Sequence, residues 1–116
     1  MISKKAEKNL FKAIENELEN ACSYGALYNS SHEGFAVLQE EIDEMEDEKE
    51  DFNSEKNLFW IAIKKNRFDL QYKDLIKMEI HAFKMLKENL QICAVIKKLK
   101  KTLENEKAKK EKQNEN

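Results

Sequence analysis

Proline is absent from this 116-residue chain, and glycine occurs only twice, at Gly25 and Gly34. These two residue types make most tight turns, so their scarcity excludes turn-rich sandwiches and barrels and predicts a mostly helical protein. Cysteine is nearly as rare. Cys22 and Cys93 are far apart and lack CxxC spacing, which excludes a disulfide framework or a cysteine metal knot and leaves each as an expected buried, reduced thiol. No apolar run approaches the ~20 residues of a membrane span, and the N-terminus has no apolar signal core. The expectation is a soluble, cytoplasmic protein with no membrane partner. Charge of one sign is also missing: 21 basic and 23 acidic side chains give a net charge of −2, so no nucleic-acid partner is expected. There is no glycine-rich phosphate loop and no Ser–His–Asp or Cys–His pattern.

What is present is helical periodicity. Apolar residues make up 41% of the chain, including Trp60, three tyrosines and six phenylalanines, enough for one modest core. Ala6, Leu10, Ala13, Ile14, Leu18, Ala21 and Cys22 recur at helical spacing after a candidate N-cap, Ser3. A connection through Gly25 and Asn29 follows. Ser30 and Glu33 then match a capping box, in which hydroxyl and carboxylate each satisfy a free backbone N–H, and Phe35, Leu38, Ile42 and Met45 continue as an apolar stripe. Ser54 can cap a further helix carrying Leu58, Phe59, Trp60, Ile61 and Ile63, a cluster suited to the core, with Trp60 a core or subunit-interface residue. Asn66 and Arg67 suggest a break. The last series runs from Leu70 to Leu103, as one helix or as two broken at Asn89. The fold expected is an all-α bundle of four or five helices, one domain over 1–104, with a charged tail at 105–116 that frays.

Charge is distributed unevenly. Residues 40–51 hold nine acids against one lysine, and 97–112 hold eight lysines against three glutamates. The lysines read as a solvated helix end that complements the helix dipole. Within the acidic run, Glu40, Glu41 and Glu44 fall three and four residues apart and so project into one small region. Like charges that close repel, and a hard divalent cation with oxygen ligands would relieve them. Glu41 and Glu44 lie at the edge of the apolar stripe, where acids need partners.

The run Ser31-His32-Glu33-Gly34-Phe35-Ala36-Val37-Leu38-Gln39-Glu40-Glu41-Ile42-Asp43-Glu44, followed by an acidic helix and by Leu58-Phe59-Trp60-Ile61-Ala62-Ile63-Lys64-Lys65-Asn66, resembles the MazG-like nucleotide pyrophosphohydrolases, especially their short phage and clostridial members. The resemblance covers roughly residues 28–90. It implies an all-helical, dimeric or higher homo-oligomer that uses Mg²⁺, with Mn²⁺ as the alternative, to hydrolyse a nucleoside triphosphate to the monophosphate and pyrophosphate. On this reading Glu40, Glu41 and Glu44 match the family's EExxE as metal ligands, with Glu41 and Glu44 catalytic. Glu79 or Asp74 would supply the later acid, although the residue three beyond Glu79 is Ala82 and the one three beyond Asp74 is Lys77, neither an acid. Lys77 and His81 would meet the substrate.

The competing expectation is a catalytically inactive helical interaction protein of phage or mobile-element origin. A plain bundle whose acids face water is the third. His32, near a helix start, carries no partner motif.

Overall fold

A computed structural model of the protein describes residues 1–22 and 27–114. The connection expected through Gly25 lies outside these residues, and so does the side chain of Cys22. The all-α expectation holds. The helix count does not, because the described residues form three helices: α1 (Lys4–Cys22), α2 (Ser31–Lys64) and α3 (Phe68–Asn114), of 19, 34 and 47 residues. No helix is long and apolar enough to cross a membrane.

The helix starts follow the sequence closely. Ser3 Oγ accepts the Ala6 N–H at 3.1 Å, and Ser30 Oγ accepts the Glu33 N–H at 3.2 Å. The Glu33 carboxylate reaches back to the N–H of Asn29 at 3.3 Å, one residue before the capping serine. The end of α2 is equally well determined. Asn66 adopts a left-handed φ of 54°, while the Asn66 N–H bonds Ile63 O and the Arg67 N–H bonds Ala62 O, each at 3.0 Å. That pair of bonds is a Schellman motif, with asparagine in the left-handed position usually held by glycine. Arg67 then bonds both carboxylate oxygens of Asp69 at 3.2 and 3.0 Å, and this hydrogen bonding holds the Asp69 carboxyl below its ordinary value at the start of α3.

The new helix start expected at Ser54 does not form, and of the two alternatives for the last series the single helix, unbroken at Asn89, is the one observed. On α2 the more buried positions recur at 45, 48, 52, 55, 59 and 62, in steps of three and four, straight past Ser54. On α3 they run 71, 74, 78, 81, 85, 88, 92, 95, 99, 102 and 106, past Asn89. Without glycine or proline to stop it, a helix whose buried stripe never changes face has no reason to end. Likewise α3 continues through the segment expected to fray, and Lys112 in its last turn complements the dipole.

The contacts divide the chain into two compact units, Met1–Glu41 with Leu90–Asn116, and Ile42–Asn89. In the first unit Leu18, Ala94 and Val95 are buried, together with Thr102, whose hydroxyl donates to Lys98 O at 2.9 Å. Gly34 is needed here for close approach, since a Cβ at this position would lie 2.8 Å from Leu99 Cγ and 2.9 Å from Tyr28 Cδ2. The last turn of α1 carries no basic residue of its own. Lys98 of α3 supplies one, donating to Ala21 O at 3.2 Å while its ammonium lies 4.2 Å from the centre of the Tyr28 ring. Lys97 pairs with Glu15 at 3.2 Å. Two lysines of the basic run therefore bind α1 instead of only facing water. Cys93 is a free thiol and only half-buried.

The second unit is a helical hairpin with Ala62 as its buried apolar residue. The cluster at 58–63 is core only in part: Phe59 and Ile63 are half-buried, whereas Leu58, Trp60 and Ile61 are exposed. Trp60 has the ammonium of Lys64 5.6 Å from its ring centre.

Candidate functional site

Within the hairpin, the stripe that α3 turns toward α2 reads Gln71, Asp74, Met78, His81, Met85 and Glu88. The facing stripe of α2 reads Met45, Glu48, Phe52, Glu55, Phe59 and Ala62. An antiparallel helix pair ordinarily fills such three-four stripes with leucine and isoleucine. Here Glu48, Glu55, Asp74, His81 and Glu88 share them with Met45, Phe52, Phe59, Met78 and Met85. Asp74, His81 and Glu88 recur at steps of seven, so they stack along one line of α3.

Two groupings result. His81 Nδ1 lies 3.1 Å from Glu48 Oε2, both side chains being largely shielded from solvent. Asp51, three residues beyond Glu48 on α2, joins them, and one ligand atom from each of Glu48, Asp51 and His81 lies within 4.8 Å of the others. One turn toward the start of α2, Glu44 faces Glu88, whose negative charge raises the Glu44 carboxyl above its ordinary value, with partial desolvation, a hydrogen bond to Glu88 and the charge of Asp47 acting in the same direction. Further along the seam toward the corner, Glu55 has its Oε2 buried without a hydrogen-bond partner. Steps of seven from the Glu48–His81 contact put Glu55 level with Asp74.

The residues singled out by sequence do not all meet on this geometry. Glu44 is exposed at the edge of the seam, and the acid that α3 brings to it is Glu88. Asp74 lies on the seam stripe, half-buried, while Glu79 is exposed and lines a groove with Ile80, Phe83, Lys84 and Lys87 on another side of α3. His81 is engaged with Glu48, and Lys77, one helical turn before it, is exposed. Glu40 is exposed; Glu41, the last residue of the first unit, is half-buried and borders a hollow of about 440 Å³ together with Tyr28, Gln91 and Lys98. Sequence reasoning did not single out Asp51, Glu55 and Glu88, and it reached Glu48 only as an extension of the acidic surface. Two signals could have found them: the turn at Asn66 fixes an antiparallel register, and the seven-residue spacing of Asp74, His81 and Glu88 marks one face.

The donor set suits a divalent cation of intermediate hardness. Two carboxylates fit Mg²⁺ or Mn²⁺, and an imidazole shifts the preference toward Mn²⁺. Carboxylates from two helices with room for water can also polarise or deprotonate a bound nucleophile. No family model matches the chain, and neither does any curated protein or any solved structure.

Proposed function

We propose that the protein is a divalent-cation-dependent nucleoside triphosphate pyrophosphohydrolase, releasing pyrophosphate and a nucleoside monophosphate, with its site in the seam of the 42–89 hairpin. The observation that carries this reading is the convergence of Glu48 and Asp51 from α2 with His81 from α3. Those three side chains would hold the cation, Mn²⁺ in preference to Mg²⁺. When bound, such an ion supplies charge neutralisation for the triphosphate and lowers the pKa of coordinated water. Glu44 has a raised proton affinity because Glu88 stands beside it, which suits it to accept the proton of the attacking water as the bond between the α- and β-phosphates breaks. Lys77, exposed one turn from His81, would pair with phosphate oxygens. Glu41, three residues before Glu44 on α2, extends the same acidic side of the helix.

Calorimetric titration with Mn²⁺, together with a pyrophosphate-release assay over the common ribo- and deoxyribonucleoside triphosphates, tests the reading. The wild-type protein is expected to bind Mn²⁺, and Glu48→Gln/Asp51→Asn to lose at least tenfold in affinity, about the lower bound for removing metal-site groups. Equal heats from the two proteins would remove the metal site. Metal binding without pyrophosphate release from any nucleotide would select the alternative, an inactive helical interaction protein, which the exposed apolar side chains of α3 favour.

A further inference from the structure

The apolar stripe of α3 in the hairpin is not the stripe that meets α2. Phe68, Tyr72, Leu75, Ile76, Ile80, Phe83 and Leu86 are all exposed, Phe83 at 59% and Tyr72 at 70%. At 100° per residue they fall within about 140° of the helix circumference, centred roughly 170° from the line of Asp74, His81 and Glu88. On this stretch of α3 the charged line faces the neighbouring helix together with Met78 and Met85, and the aromatic and branched apolar side chains face out. A groove of about 520 Å³ lined by Glu79, Ile80, Phe83, Lys84 and Lys87 lies on this outer side.

We infer that this face is where a second copy of the chain docks, α3 against α3, through the stripe from Phe68 to Leu86. The first argument is area. Seven side chains of this size, each about half open, present on the order of 700 Å² per copy, close to the ~800 Å² per partner of a standard interface and beyond the ~300–600 Å² patches of ordinary monomers. The second is need. A hairpin whose seam mixes methionines and phenylalanines with carboxylates, and whose fully buried apolar residue is Ala62, gains less from its own packing than an all-apolar seam would, so the face that would add stability is the one left uncovered. The third is charge. Glu79 sits within the stripe, and Lys77, Lys84 and Lys87 flank it. A carboxylate there opposes insertion into an anionic lipid surface. An antiparallel two-fold pairing centred between Ile80 and Phe83 sets Ile80 of each copy on Phe83 of the other and brings each Glu79 to the other Lys84. The inference rests on the apolar face and not on the metal site, so a dimer without hydrolysis and hydrolysis by a monomer are separately readable.

Sedimentation equilibrium on the full chain across a concentration series is the test, with far-UV circular dichroism as the control for folding. The wild-type protein should run at twice its 13.7 kDa mass. Phe83→Glu should weaken association by at least ~100-fold while helicity is kept, as expected for a charge placed at the centre of an interface. Should that variant fail to fold, Glu79→Lys decides: it should weaken the dimer about fivefold, and adding Lys84→Glu should restore it. A wild-type protein that stays monomeric, or a dimer indifferent to position 83 or to the 79/84 exchange, overturns the inference. So does a monomer that co-floats with vesicles of four parts phosphatidylcholine to one part phosphatidylserine.

Discussion

The two units of this chain use the same helices in opposite ways. In the unit formed by Met1–Glu41 and Leu90–Asn116, α3 buries Ala94, Val95 and Thr102, Leu18 of α1 is buried with them, and Lys98 closes the end of α1. In the Ile42–Asn89 hairpin the equivalent stripe of α3 carries Asp74, His81 and Glu88 among Met78 and Met85, and Phe68, Tyr72, Ile80 and Phe83 on its other side stay exposed. One helix with an unbroken three-four periodicity therefore changes from a packing element to a ligand-presenting one by composition alone. Apolar burial supplies stability, whereas a polar seam forgoes it in exchange for groups that can act on something charged.

Substitutions can break this contrast. The largest effect is expected at Leu18→Ala, which should cost about 2–5 kcal/mol in a urea unfolding experiment, a large share of the ~5–15 kcal/mol typical of a domain. A cost below about 1 kcal/mol would mean that the first unit is no better packed than the hairpin. The second, smaller effect has the opposite sign. Glu55→Met replaces a buried oxygen that has no partner with an apolar group of similar length, and should raise stability by about 1 kcal/mol. If the variant is instead destabilised by that amount, Glu55 has a partner and the seam is better satisfied than the geometry indicates.

The helix starts were legible because caps are local: Ser3, Ser30 and Glu33 each act within four residues. The corner at Asn66 was legible for the same reason. Helix number was not, since Ser54 and Asn89 look like punctuation only when the buried stripe running past them is unknown. The site was half legible. Glu44 stands out within the acidic run, but its neighbour Glu88 and the Glu48–His81 contact depend on which residues of α2 and α3 come level, and no local signal contains that register. Glu79 was an attractive candidate by type, yet it lies roughly 160° around α3 from the line of the seam.

The smallest predicted effect concerns pH. Because the folded protein raises the affinity of Glu44 for its proton, it binds more protons than the unfolded chain between the ordinary glutamate value and the raised one. Stability should therefore rise as pH falls through that window and decline as pH climbs back through it. Glu44→Gln should flatten this part of a thermal-unfolding profile measured against pH, and an unchanged slope would show that Glu88 does not repel it.

The left-handed residue at the corner has a consequence for how such a chain can change its length. Asn66 and the two backbone bonds around it fix the point from which both arms of the hairpin are counted. One residue inserted between Glu55 and Asn66 would turn Glu44, Glu48 and Asp51 by about 100° and shift them by about 1.5 Å against His81 and Glu88, which would stay in place. Only matched additions to both arms, of a whole heptad each, restore the levels and the facing sides together. The corner thus acts as an origin of coordinates, and the hairpin can grow or shrink only in quanta of seven residues per arm.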